Sequence, residues 1–309
     1  MRRSRILLAA FLLLAPAPAA AVEAVFDPNG VSFYDMPFPF ELRRDPDGTV
    51  SLANFPFPGG NPLIGAYRDS LERTEGFGIN SGVFFKFDGD IDPSSLPANP
   101  EASRAPGSSV FLINIDTSSR NRRQRTPLWI EYRSVGDEWR DDHLLGIMPV
   151  PGHPLEPDTL YAAVITDDLL GDDALPVTPS PFIERMRDLT AQGAYEKKAL
   201  PLYRKLWRQL ERFEGIPRDR VVAATVFRTG DATRKLEVAA RWIRSKVRPV
   251  ATNLALDVAR SNGHYWVFTG QFQAPQFQNG TPPFSDPGTG IFQFDKNGRP
   301  IVQRVETLH

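Results

Sequence analysis

Leu144 to Gly171 reads LLGIMPVPGHPLEPDTLYAAVITDDLLG, and this stretch decides the fold. Two apolar runs flank a connector carrying Pro149, Pro151, Gly152, Pro154 and Pro157. A helix cannot run through that density of proline, because each one removes a backbone donor and clashes with the preceding turn. The runs themselves are short and partly β-branched, so the stretch reads as strand, Pro/Gly turn, strand.

The same grammar extends upstream. Gly82 to Phe87 and Ser109 to Asp116 read as strands, and TPLWIEYR (Thr126 to Arg133) alternates with Leu128, Ile130 and Tyr132 on one face. Further back, Phe40 to Arg43 and Thr49 to Leu52 alternate apolar and polar around Asp45-Pro46-Asp47-Gly48, which predicts a hairpin. The Phe/Pro clusters beside it, Pro37 to Phe40 and Phe55 to Pro58, read as core-facing staples. Strands at intervals of roughly 10 to 20 residues with turn chemistry between them are the pattern of an antiparallel sandwich.

Downstream the period changes. Ser180-Pro181 opens a helix, with Phe182, Met186 and Leu189 at helical spacing and Gly193 to close it. Tyr203, Leu206, Trp207, Leu210 and Phe213 make a second helical stripe. Its other side is basic, but Glu196, Glu211 and Glu214 dilute the charge, so a solvated face is expected rather than a membrane-binding one. Val221 to Phe227 is almost wholly apolar and predicts a central, buried strand. Asp231 caps a third helix through Leu236, Ala240, Ile243 and Val247, ended by Pro249. A short linker leads to the extended segment His264 to Phe277, and Asn297-Gly298 predicts a closing hairpin with Ile301 to Leu308 as its second strand. No tandem repeat or long low-complexity segment is present.

The expected fold is therefore mainly β with helices. An antiparallel sandwich spans 25–230 with a helical insert at 180–215, a connecting helix occupies 231–250, and a β-rich tail ending in a hairpin fills 251–309.

Residues 1–21 combine a basic head (Arg2, Arg3, Arg5), a short apolar run and an Ala-rich end, the marks of a secretory signal peptide. The run is short of the roughly 20 residues that span a bilayer, so cleavage is expected over an uncleaved anchor. Localisation is then exported: periplasmic, cell-surface or secreted. Removing those residues takes three arginines and no acid, moving the net charge from −1 to −4. That balance argues against a nucleic-acid partner. The chain has no Cys, so its stability rests on its core and not on disulfides. Its 29 Pro and 21 Phe favour many short extended segments over a helical bundle.

Motifs for chemistry are sparse. No Gly-x-Ser-x-Gly elbow occurs, and Ser81 in GFGINSGV lacks the spacing. His143, His153, His264 and His309 stand apart, without zinc-ligand spacing. Asp88, Asp90 and Asp92 alternate like a calcium loop and are the nearest metal candidates, but Pro93 and Asn99 stand where an EF-hand needs Gly and Glu. Asp167, Asp168, Asp172 and Asp173 cluster in a stretch where turn formation accounts for them. Asn279-Gly280-Thr281 matches a glycosylation sequon. Gly288 to Gly290 is followed by neither the Lys nor the helix of a phosphate loop. No catalytic residue and no cofactor is assigned.

Two resemblances add to this reading. The turn Asp92 to Leu96 and the segment Leu155 to Tyr161 (Leu-x-Pro-x-Thr-x-Tyr) resemble the bacterial Ig-like domains of surface-layer and exported proteins, over roughly residues 75 to 230. Phe38 to Pro58, Val221 to Thr233, Gly270 to Pro283 and Asn297 to His309 resemble the N-terminal region of large exported bacterial lipase-like proteins of virulence-factor type. That resemblance implies an Ig-like region preceding an α/β-hydrolase domain, with the tail as the start of the hydrolase sheet and the hydrolase domain packing on the C-terminal hairpin. The family's oxyanion loop and nucleophile elbow have no counterpart in these residues, so no catalytic residue carries over. The expectation is a non-catalytic Ig-like region of a lipase or esterase system, truncated or separately encoded before the catalytic domain. The alternative is a self-standing secreted or cell-envelope binding or adhesion module.

Overall fold

A computed structural model describes residues 21–286 and 288–309. The expected signal peptide lies, except for Ala21, outside the described residues. The fold is mixed and β-rich, with three antiparallel sheets. The first holds β1 (Ala24–Val25), β2 (Val83–Phe87), β5 (Leu128–Arg133) and β6 (Leu144–Pro149), in the order β1-β2-β6-β5. The second holds β3 (Val110–Asn114), β4 (Arg125–Thr126), β7 (Leu160–Thr166) and β8 (Val221–Arg228), in the order β4-β3-β7-β8.

Alternation places these sheets face to face. Val83, Phe85 and Phe87 of β2 and Leu145 and Ile147 of β6 share one core with Val110 and Leu112 of β3 and Tyr161, Ala163 and Ile165 of β7. The opposite face of the second sheet, including Phe111, Ile113, Ala162 and Val164, meets α2 (Pro181–Arg187) and α3 (Gly193–Gln209). With a layer on each side, every residue of β7 is buried, which is why its sequence is apolar without alternation. Each large side chain so buried contributes roughly 1.5–3 kcal/mol.

The helices are fixed by polar ends on apolar bodies. Ser180 Oγ accepts the Ile183 amide at 3.4 Å, with Pro181 at the first helical position. Tyr203 donates to the Ala224 carbonyl at 2.7 Å, and Trp207 Nε1 to the Met186 carbonyl at 2.8 Å. These bonds satisfy the only polar atoms of two fully packed rings.

Several expectations are corrected. Phe40 to Arg43 is not a hairpin arm. Glu41–Arg43 is a 3-10 turn, and only an Arg44–Val50 bridge remains around the Pro46-Gly48 turn. Val221 to Phe227 is buried but not central, since β8 closes one edge of its sheet. Segments distant in sequence cover that edge: Thr225 Oγ1 bonds the Pro39 carbonyl, Arg228 N bonds Glu41 Oε2 at 2.8 Å, and Phe77 bridges Thr229. The closest crossing needs a glycine, because a Cβ at Gly230 would lie 2.1 Å from the Glu75 carbonyl oxygen. Gly193 does not close the first helix but opens the second; Leu189, at φ 56°, follows the first helix's end.

α4 (Arg234–Lys246) starts where Asp231 Oδ1 accepts the amides of Thr233 and Arg234, both at 3.0 Å. Its inward side is Ala239 and Trp242, and the expected stripe is turned outward, with Leu236 and Ile243 exposed. The tail holds more than a linker and a short hairpin, the latter kept as a Phe294–Pro300 bridge. Residues expected as linker form β9 (Thr252–Asn262), which pairs with β10 (Tyr265–Gln276). The Asn297-Gly298 turn forms, with Gly298 N bonded to Asp295 O at 2.9 Å. The strand after it, β11 (Arg304–Leu308), pairs instead with β10, giving the third sheet, β11-β10-β9.

Candidate functional site

The three carboxylates of the calcium-like loop serve three separate structural purposes. Asp88 Oδ1 accepts the Glu23 amide at 2.7 Å. Asp92 caps the turn Pro93–Ser95, accepting Ser94 N at 2.8 Å and Ser94 Oγ at 2.7 Å, and these bonds hold its carboxyl below the ordinary value. Asp90 Oδ1 lies 2.8 Å from Tyr132 Oη and 3.0 Å from His143 Nδ1. The Tyr132 hydrogen bond, then the His143 contact, lowers Asp90; burial, then that same bond to Asp90, raises Tyr132. Among the described residues no group of three or more His, Cys, Asp or Glu is arranged to hold a metal ion.

The second acidic cluster is likewise divided. Asp167 and Asp168 both pair with Arg220, at 2.8 and 2.6 Å, and Asp173 Oδ1 closes a turn onto Leu175 N at 2.9 Å. Asp172 sits in that turn, its amide bonded to the Asp90 carbonyl at 2.9 Å. Ser81 lies in the turn before β2, and no histidine hydrogen-bonds it among the described residues. His153 is exposed in the β6–β7 connection, His264 lies in the β9–β10 turn, and His309 bonds Gln271 at 3.0 Å. Both ends of the Asn279 amide close a loop, donating to Gly288 O and accepting from Ile291 N, each at 2.9 Å.

A cleft of about 400 Å³ lies between Arg44, Arg73, Glu75, Asp158, Asp231 and Lys235. Its charges are mixed: Lys235 pairs with Glu75 at 3.2 Å, Arg44 pairs with Glu41 at 3.0 Å, and Asp231 is engaged at the start of α4. The cations and carboxylates that line it balance, so it carries no net charge.

The surface that stands out is the third sheet. Leu256 faces Phe268 across the β9–β10 ladder, and Phe272 faces Leu308 across β10–β11. Alternation puts Leu254, Val258 and Trp266 on that same side. Leu254 confirms it, lying over Gly270, where an added Cβ would come 2.9 Å from Leu254 Cδ2. These side chains are open to solvent: Val258 is 74 % exposed, Trp266 70 %, Leu254 64 % and Phe268 63 %. The reverse side is mixed: Tyr265 and Val305 are exposed there beside polar pairs, with Gln273 Nε2 bonded to Thr307 Oγ1 at 2.8 Å and Asn253 to Gln271 at 2.8 Å. The result is an amphipathic sheet whose apolar side is uncovered. At its root, Phe277 is buried against Trp242 of α4 (ring centroids 5.6 Å) and Phe292 (6.3 Å). β9 and β11 are the outer strands, so each has one unpaired edge within the sheet.

The sequence carried a signal for this surface. Asn262-Gly263 between two alternating apolar runs is a strong short-range hairpin mark, and it links β9 to β10 with Asn262 opposite Tyr265. No protein-family model matches the chain, and a search of curated proteins finds no match.

Proposed function

We propose that this protein is a non-catalytic docking module, the Ig-like region of an exported lipase- or esterase-type system, whose third sheet packs against an α/β-hydrolase domain. The observation that carries this reading is the uncovered apolar side of β9-β10-β11. A soluble protein seldom exposes a contiguous apolar patch of this kind unless something binds it. Two outer strands with free edges add backbone donors and acceptors to the same surface. The identity of the partner rests on the resemblance of Phe38 to Pro58, Val221 to Thr233 and the tail to the N-terminal region of such hydrolases. The face-to-face packing of the first two sheets supports an Ig-like body, and the basic-apolar-small pattern of residues 1–21 supports export.

The test begins with the coding sequence beyond codon 309 and in the adjacent frames. The expected finding is a hydrolase domain with a Gly-x-Ser-x-Gly elbow. Joined to or mixed with that domain, amides of residues 252–276 should exchange with deuterium at least about ten-fold more slowly. Unchanged exchange refutes the docking. Turnover of short p-nitrophenyl esters by the repurified 309-residue chain refutes the non-catalytic part.

A further inference from the structure

The outward side of α3 and the turn after it carry Lys197, Lys198, Arg204, Lys205, Arg208 and Arg212, all exposed. None of them forms an ion pair among the described residues, because the acids of the same stretch are engaged elsewhere. Glu196 is buried and gripped by Arg185 of α2, with Arg185 Nη2 at 2.6 Å. Glu211 pairs with Arg218 at 2.6 Å, and Glu214 pairs with Arg125 at 3.1 Å. Glu196 is thereby withdrawn from the surface, whereas Glu211 stays exposed in its pair with Arg218, so the dilution expected from the sequence is only partial. The row continues onto the β3–β4 loop, where Arg120 and Arg123 are exposed and also unpaired among the described residues. Arg123 lies 3.6 Å above the Phe213 ring, which fastens that loop to the end of α3. A chain of net charge −1 has thus gathered free cations along one helix of 17 residues, a row about 25 Å long.

We propose that this face docks on an anionic lipid surface by charge. The clefts nearest the row open at the first turn of α3 (Gln192 to Glu196) and beside Arg123, and Lys197, Lys198, Arg204, Lys205, Arg208 and Arg212 line neither. No large apolar side chain is exposed along it: Leu200 and Leu202 are half-buried, and Phe213 lies beneath arginines. A flat array of headgroup phosphates fits such a row, and attachment is superficial, without insertion of apolar side chains. Nucleic acid would be served by a groove or by exposed aromatic platforms; a cleft opens beside Arg123, but it is not lined by the cations of α3, and no large aromatic side chain is exposed among them.

The experiment is co-sedimentation with vesicles of phosphatidylcholine alone and with roughly 30 % phosphatidylglycerol. Binding is expected to the anionic vesicles only, and to be abolished near 1 M salt, where screening acts within about 3 Å. Each cation near an anionic leaflet multiplies partitioning about five-fold. Lys197→Glu/Arg204→Glu/Arg208→Glu should therefore weaken binding on the order of a hundred-fold or more. The neutral triple variant, with Gln at the same positions, should bind with intermediate strength, and circular dichroism should show both variants folded. Equal binding to neutral vesicles assigns the contact to the apolar sheet and overturns the proposal. So does unchanged binding by either variant, no binding by the parent protein, or displacement from vesicles by a lower concentration of duplex DNA than of anionic lipid.

Discussion

Arg228 Nη2 lies 2.9 Å from Asp116 Oδ2, joining the end of β8 to the end of β3 across the intervening strand β7. The carboxylate is 6 % exposed, and it also accepts Ser118 N at 2.9 Å and Leu160 N at 3.1 Å. One side chain therefore terminates three strands of the second sheet at the same level. Desolvation pushes this carboxyl up, but the donors from Ser118 and Leu160 and the Arg228 charge outweigh it and hold the group at about 2.

A folded-state value below the unfolded one contributes stability above the unfolded value near 3.9, and that contribution is lost as pH falls through about 2. The shift corresponds to about 2.5 kcal/mol. Asp116→Asn should lower unfolding stability by about that amount at pH 6. It should also flatten the decline of stability between roughly pH 4 and pH 2. Urea unfolding at several pH values reads both. An equal acid limb in parent and variant would assign the decline to other carboxylates.

Arg185 and Glu196 make the comparable link between α2 and α3. The Glu196 side chain is 8 % exposed, and two of the three guanidinium nitrogens of Arg185, Nε and Nη2, reach it. Desolvation alone would raise its carboxyl, yet Arg185 and the Gln192 amide hold it below the ordinary range. Arg185→Met leaves a nearly buried charge unpaired and should cost about 2–4 kcal/mol at neutral pH. The deficit should shrink in acid, where Glu196 is protonated in the variant. Arg185→Met/Glu196→Met should recover most of the loss, because a packed apolar pair replaces a buried ionic one at little cost. A double variant as unstable as the single one would show that shape rather than charge sets the helix contact.

Gly270 gives a test local to the third sheet. A side chain there meets both Leu254 Cδ2 at 2.9 Å and the Thr252 carbonyl at 3.1 Å, and the latter cannot rotate away. Gly270→Val should strain the β9–β10 pairing by about 1–3 kcal/mol. Hydrogen exchange should speed up across 252–276 and stay unchanged in β7, whose packing lies in the two-sheet body. A uniform acceleration would mean that the third sheet unfolds together with the rest.

The strands of the body were legible because alternation and turn residues report burial directly. β2 shows this with Val83, Phe85 and Phe87 inward and Lys86 outward. What escaped were features set by distant partners. Val221 to Phe227 reads as central because both its faces are covered, but hydrogen-bond position in a sheet leaves no mark on side-chain polarity; segment 38–43 and Phe77 supply the missing neighbour. In α4 two apolar stripes compete at helical spacing, and Trp242, held by Phe277, decides which one turns inward. β9 was hidden by its polar interruptions, Asp257, Arg260 and Ser261, although Asn262-Gly263 marked its end. The free cations of α3 could not be read from composition, since the pairings of Glu196 with Arg185 and of Glu214 with Arg125 are set by the fold.

The apolar side of the third sheet yields the last test. Leu254 and Phe268 sit at its middle, both more than half exposed, and neither contributes to a core cluster. Leu254→Thr/Phe268→Thr keeps β-propensity while removing apolar area. Global stability should change by no more than about 0.5 kcal/mol, as at ordinary surface positions. Binding of the dye anilinonaphthalene sulfonate, which reports accessible apolar surface, should fall by roughly half. Retention on size exclusion at high protein concentration should shift toward the monomer if the parent self-associates through this face. A large loss of stability with unchanged dye binding would mean that these two side chains hold the sheet together instead of presenting it to a partner.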